Sequence, residues 1–280
     1  MLKKAYFEIT NACNLTCDFC HGTKRPIRYV SADEFAAVTD KLKDRVEYLY
    51  FHLMGEPLLH PRLGEFLQIA GEKGFRVILT TNGTLLRKCG EVLFGAKALH
   101  KVSISLHCYE ANKMGIGLDE YLESCFEFCR VAAKNDIISV MRLGNEGGKD
   151  DLNEYILGKM REYFGTEWKE IYSGYKLCHK VFIEWGQKFD WPDVDGMEVE
   201  QIHSCYGLRD QVGILSDGRV VPCCLDAEGT VTLGNIFEED LDAILQKPRA
   251  LALRRSFEVG NVTEKLCRRC GYAMRYGTKG

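Results

Sequence analysis

The feature that most constrains the fold is an alternation of two kinds of segment over the first 185 residues. Apolar runs rich in β-branched and aromatic residues recur at 5–9, 46–52, 75–80, 101–106, 137–143 and 180–185. Between them lie segments of helical pattern at 32–44, 62–73, 85–94, 118–134 and 151–164. Short runs without polar alternation read as strands buried on both faces, and strands separated by helices read as parallel βαβ units. Ser31, with Glu34 three residues on, marks a capping box at the first helix, and Gly74 and Gly144 fall where a helix or strand should stop. Six units are too few for a closed eight-fold barrel. The expectation is an α/β chain forming a partial (β/α)6 TIM-like barrel, open on one side, with a doubly wound sheet as the alternative. In either, chemistry gathers at the C-terminal ends of the strands.

After about residue 200 the pattern changes. "QVGILSDGRVVPCCL" reads as a hairpin turning at Ser216-Asp217-Gly218, followed by helices over 238–246 and to about 258, and then by "CRRC". The expected organisation is a barrel over 1–190 and a small hairpin-plus-helix domain over 200–280.

The net charge of −3 gives no electrostatic footprint for nucleic acid, and the apolar runs are too short to span a bilayer. "MLKK" leads straight into a strand with no apolar signal segment, so a cytoplasmic location is expected. In that compartment thirteen cysteines are thiols, not disulfides. Cys89, Cys125 and Cys129 read as core, the last two being four apart on one helix face.

Cys13, Cys17 and Cys20 crowd onto the loop after the first strand, spaced C-x3-C-x2-C. Three thiolates on one loop suit three irons of a 4Fe–4S cube and leave the fourth iron open to a small molecule. A closed zinc site with His21 as fourth ligand is the alternative.

"CNLTCDFC" resembles the CxxxCxΦC signature of the radical S-adenosylmethionine enzymes, with Phe19 as the aromatic before the last cysteine. The resemblance covers roughly residues 5–185. It implies a 4Fe–4S cluster whose open iron is chelated by S-adenosylmethionine, reductive cleavage to a 5′-deoxyadenosyl radical, and hydrogen abstraction from substrate. It also implies flavodoxin or ferredoxin as electron donor. "MGEP" (Met54, Gly55, Glu56, Pro57) looks like the family's GGEP turn, with Glu56 receiving the methionyl ammonium and Met54 replacing the first glycine. "TTNGT", with Asn82, resembles the turn after the third strand. "SISLH" resembles the fourth-strand segment that contacts the ribose and carboxylate, through Ser105 and His107.

Cys205, Cys223, Cys267 and Cys270 are separated by 17, 43 and two residues, and Gly218 stands five before Cys223. This resembles the twitch version of the SPASM extension, with spacing similar to that of 2-deoxy-scyllo-inosamine dehydrogenase. It implies an auxiliary 4Fe–4S cluster, fully ligated and suited to electron transfer. A zinc ribbon on the same cysteines is the alternative. Cys224 competes with Cys223 as ligand, and Cys178 is a further alternative.

Arg142, Asn145, Glu184, Trp185, Asp190, Trp191 and Asp193 follow the fifth and sixth strands, where substrate should sit. Arg142 and Glu184 are the candidate catalytic pair, orienting or deprotonating substrate. The expected function is a radical oxidoreductase that dehydrogenates a small molecule and passes the electron to the auxiliary cluster. With the first cysteine at position 13, a small molecule is favoured over a peptide. Three readings stand beside it: a peptide cross-linking maturase, a redox-neutral epimerase using the thiol of Cys108 or Cys178 as hydrogen donor, and an iron–sulfur electron carrier.

Overall fold

The structure is a computed structural model that describes residues 2–199 and 204–276. Strands β1 (Lys4–Phe7), β2 (Tyr48–Tyr50), β3 (Arg76–Thr81), β4 (Leu99–Ser105) and β5 (Ile138–Glu146) alternate with helices α1 (Ala32–Leu42), α2 (Leu63–Glu72), α3 (Leu86–Phe94) and α4 (Leu118–Lys134). Helix α5 (Asn153–Phe164) and strands β6 (Lys169–Ile171), β7 (Gly174–Cys178) and β8 (Val181–Gln187) follow. The last segment contributes β9 (Gln211–Ile214), β10 (Arg219–Val221), β11 (Gly234–Asn235), α6 (Leu241–Leu245) and α7 (Pro248–Glu258).

All eleven strands form one sheet in the order β11-β10-β9-β1-β2-β3-β4-β5-β8-β7-β6. From β1 through β5 to β8 the pairs are parallel and follow chain order without reversal. The sheet therefore winds in one direction, as a partial barrel does, and is not doubly wound. Strand β9 pairs in parallel with β1, Lys4 opposite Gln211, so the C-terminal hairpin extends the barrel sheet at its first strand. The antiparallel β6–β7 hairpin extends the other edge beside β8.

Successive strand residues face opposite sides. One set, including Phe7, Leu49, Val77, Val102 and Ile183, is buried against the helices. Helix α1 starts at the expected capping box, and Phe35 on its inner face stacks on Phe7 (5.5 Å) and Phe66 (4.3 Å) and meets Phe51 edge-on. The other set, on the concave face, is partly polar: Tyr6, Tyr50, Lys101, Ser103, Arg142 and Glu184. Gly144 does not end its strand. β5 runs on to Glu146 through a register shift, and a Cβ at Gly144 would come within 3.3 Å of the His107 ring. The glycine lets that imidazole lie close against the strand.

Candidate active site

The loop carrying Cys13, Cys17 and Cys20 leaves the C-terminal end of β1 and is fastened to the turns after its neighbours. Asn82 donates its side-chain amide to Asn14 (2.9 Å), and Asn14 donates to Thr84 (2.9 Å). Asn112 accepts the Thr16 N–H (3.0 Å) and donates to Cys17 Sγ (3.1 Å). Trp191 donates its indole N–H to the Phe19 carbonyl (2.9 Å). Side chains from three separate turns thus hold a loop that has no helix or strand of its own. The Cys108 thiol donates to Cys17, and with Asn112 it draws Cys17 down to about 7, while burial raises Cys13 and Cys20.

The Met54–Pro57 turn lies beside this loop. Gly55 takes a φ of +81°, and a Cβ there would stand 2.4 Å from the Thr10 carbonyl oxygen, so only glycine fits. Met54 is not among the positive-φ residues, so its position tolerates a side chain. It lies buried, with its N–H donated to Glu8 (3.2 Å). Glu56 caps the short helix at Pro57–Leu59 by accepting the Leu58 N–H (3.0 Å), and it accepts the Asn82 N–H (2.7 Å) with its other oxygen. It is buried without a cation beside it among the described residues, and burial lifts its carboxyl to about 7. A carboxylate held this way is a ready partner for an ammonium group.

Next to the loop, a pocket at the strand ends brings together Phe19, Ser105, His107, Arg142, Glu184, Trp185 and Trp191. Phe19 and His107 are 4.7 Å apart between ring centres. His107 Nδ1 lies 3.0 Å from the Arg142 carbonyl and 3.1 Å from the Gly144 nitrogen, and burial lowers the ring to about 4, so it is neutral near pH 7. Arg142 Nε and Glu184 Oε2 are 4.0 Å apart, a loose pair that faces the pocket. Gly144, Gly186, Gln187 and Lys188 also line it, as do Phe189, Tyr272 and Arg275, which the sequence pattern had not singled out. Asn145 is absent from the pocket: it staples a loop through Lys149 and Asn153. Asp193 accepts the Asp195 N–H in a turn, and Asp190 packs against Gly271. Cys178 lies beside Val181, at the start of β8 and thus at the opposite end of the barrel. Cys108 is buried with its thiol on Cys17 and does not line the pocket.

A second cavity is lined by Cys205, Cys223, Cys267 and Cys270, with Pro222 and Phe257. Burial raises all four thiols. Cys224 points elsewhere: Tyr6 donates to its sulfur, and it packs with Tyr6, Leu53 and Val221. Gly218, at φ +86°, starts the hairpin return where a Cβ would collide with Asn235 at 2.3 Å. Among the described residues no group of His, Cys, Asp or Glu is arranged around a single ion. The four thiols ring a cavity, and soft thiolates around a volume fit an iron–sulfur cluster.

Sequence reasoning missed the group that ties these two regions together. Glu8, wholly buried at the end of β1, accepts both terminal nitrogens of Arg25 (2.9 and 2.7 Å) and the backbone and side chain of Ser216 (3.1 and 2.9 Å). Arg25 also donates its Nε to the Ala227 carbonyl (2.8 Å). The signal was the lone carboxylate inside "AYFEIT", since a charge in a buried strand needs a partner.

Comparison with known proteins gives two family models. That of the radical SAM superfamily matches residues 7–156, and that of an iron–sulfur cluster-binding domain, SPASM, matches residues 205–271. A probable GTP 3′,8-cyclase of Pyrobaculum aerophilum is 32% identical over 293 residues, covering 91% of this chain and 94% of that protein. The antilisterial bacteriocin subtilosin biosynthesis protein AlbA of Bacillus subtilis is 36% identical over 273 residues, covering 87% of this chain and 59% of its own length. The crystal structure of BtrN in complex with AdoMet and 2-DOIA superposes with a TM-score of 0.63 over 96% of this chain and 93% of that one, at 17% identity. No helix among the described residues is long and apolar enough to cross a membrane.

Proposed function

The chain belongs to the radical SAM superfamily, whose members hold a 4Fe–4S cluster and S-adenosylmethionine, and from that premise we propose that it oxidises a small-molecule substrate by two electrons. Cys13, Cys17 and Cys20 would hold the radical cluster, and Glu56, with the turn around it, the methionyl ammonium. Phe19, Asn82, Ser105 and His107 would shape the rest of the cofactor site. Cys205, Cys223, Cys267 and Cys270 would hold the auxiliary cluster. The observation that carries the oxidative reading is that these four thiols line one cavity.

When bound, the cofactors supply an acceptor for a substrate hydrogen atom and, at the auxiliary cluster, an acceptor for one electron, after a flavodoxin or ferredoxin has provided the electron that opens S-adenosylmethionine. The chain's own residues handle the proton and the geometry. Glu184 takes the proton from the substrate hydroxyl as the carbonyl forms, and Arg142 steadies the oxygen. Their 4.0 Å separation is loose enough for a substrate oxygen to bridge them. Trp185 and Trp191 wall the pocket against water. The pocket lining contains no thiol among the described residues, which favours oxidation over return of a hydrogen atom to the substrate. A peptide substrate is the second reading, favoured by the 36% identity to the bacteriocin biosynthesis protein.

The test is 5′-deoxyadenosine formation by anaerobically reconstituted protein with dithionite. Wild type should form it and Cys17→Ala should not. Equal yields, or none from wild type, would overturn the radical reading.

A further inference from the structure

The concave face of the sheet holds cations that the residues named above leave without a role. Lys4 on β1 and Lys101 on β4 project from the same face as Arg142 on β5. Neither lysine has an acidic side chain within 4.0 Å among the described residues. Lys4 Nζ instead lies 5.2 Å from the Tyr6 ring centre and 5.1 Å from that of Tyr50. Asp210 acts on Lys4 from a distance but is itself paired with Arg209 (3.1 Å). Burial holds the Lys101 ammonium below its ordinary value, Glu184 opposes that, and Arg142 and Lys4 add to it.

His52 lies against the same two tyrosine rings that Lys4 faces. Burial, followed by Arg142, Lys4 and Lys101, holds its imidazole down at about 3. Its Nδ1 is buried with no hydrogen-bond partner among the described residues. It packs between Tyr6 (5.1 Å) and Tyr50 (5.7 Å). Arg142 is loosely matched by the carboxylate of Glu184, which leaves the two positive charges of the partly buried Lys4 and Lys101 without an acidic partner, a costly arrangement away from full solvent. The unpartnered His52 nitrogen beside them points to the same conclusion: this part of the concave face suits a group that is negative and accepts or donates hydrogen bonds.

We propose that the substrate carries a phosphoryl group, held on the concave face of the partial barrel by Lys4 and Lys101 and contacted by His52. Two surplus charges match a phosphate dianion, whereas a carboxylate would leave one uncompensated. Lys101 lies four residues before Ser105 on β4, roughly 13 Å along the strand. The phosphoryl group therefore sits at the far end of a substrate whose reacting carbon lies at the level of Ser105. The inference rests on the reading that the pocket is the substrate site of a radical enzyme.

Inorganic pyrophosphate is the probe. It is titrated calorimetrically into cluster-reconstituted wild type, Lys101→Met and the surface control Lys134→Met, and in parallel wild type is acetylated with and without it and mapped by mass spectrometry. Wild type and the control should bind alike, Lys101→Met at least tenfold more weakly, and pyrophosphate should protect Lys101 from acetylation. Unchanged affinity in folded Lys101→Met, or no protection of Lys101 in wild type, overturns the proposal. Acetate protecting Lys101 as well as pyrophosphate does would overturn the phosphoryl assignment. 5′-Deoxyadenosine is measured in the same preparations. Its presence without pyrophosphate binding refutes only the anion site, and its absence refutes the radical reading and the substrate assignment with it.

Discussion

Replacing Arg25 by methionine should be among the most damaging single changes outside the cysteines. The Arg25–Glu8 pair is almost wholly buried, with 7% and 0% of the two side chains exposed. The substitution keeps the aliphatic stem but leaves Glu8 with only the Ser216 and Met54 donors. Leaving one partner of a buried pair uncompensated costs about 3–5 kcal/mol. For a chain of this size that corresponds to a fall in Tm of roughly 5–9 °C. The exposed pair Arg62–Glu65, with 50% and 41% of the side chains exposed, is the control. Arg62→Met should cost less than about 1 kcal/mol and move Tm by less than about 2 °C. Adding Glu8→Gln to Arg25→Met removes the stranded charge and should recover part of the loss. Differential scanning calorimetry on the apoprotein reads all three variants against wild type. If Arg25→Met melted within about 2 °C of wild type, the buried pair would not be the fastening described.

Three further outcomes follow from the same geometry. Because burial lifts Glu56 to about 7, against an ordinary 4.5, the folded apoprotein binds more protons than the unfolded chain between those values. Its contribution is therefore full below about pH 4.5 and is lost as pH rises through about 7, by on the order of 3 kcal/mol at most; Glu56→Gln should flatten that part of the Tm-against-pH curve. Cys223→Ser should lower the iron content of the reconstituted protein while Cys224→Ser leaves it unchanged, since only Cys223 lines the four-thiol cavity, and elemental analysis distinguishes them. Gly55→Ala should destabilise the fold by at least about 2 kcal/mol, because a Cβ meets the Thr10 oxygen and the left-handed backbone is strained for alanine; urea denaturation measures it.

The parallel strands and their helices were legible because burial on both faces leaves an unbroken apolar run, and all five helices of the barrel begin and end within two residues of the expected positions. The β6–β7 hairpin was missed because its strands lie at a sheet edge, where "KEI" and "GYKLC" carry polar residues and resemble loop. The pairing of β9 with β1 joins residues more than 200 apart, for which neither strand holds a local signal. In the candidate site, motif spacing located Phe19, Ser105, His107, Arg142 and Glu184, which share one pocket. It misjudged Asn145, whose amide is consumed by a loop, and Cys178, which sits at the wrong end of its strand. Glu8 and Arg25 were invisible as a pair because they stand 17 positions apart in the sequence, with sixteen residues between them.

The central claim is that the chain carries two iron–sulfur clusters, the second held by the thiols of its C-terminal segment. The most direct measurement is iron and sulfide content of anaerobically reconstituted protein in which Cys13, Cys17 and Cys20 are all alanine. The account predicts about four irons and four sulfides remaining per chain. Zinc in their place, or no metal at all, would contradict it.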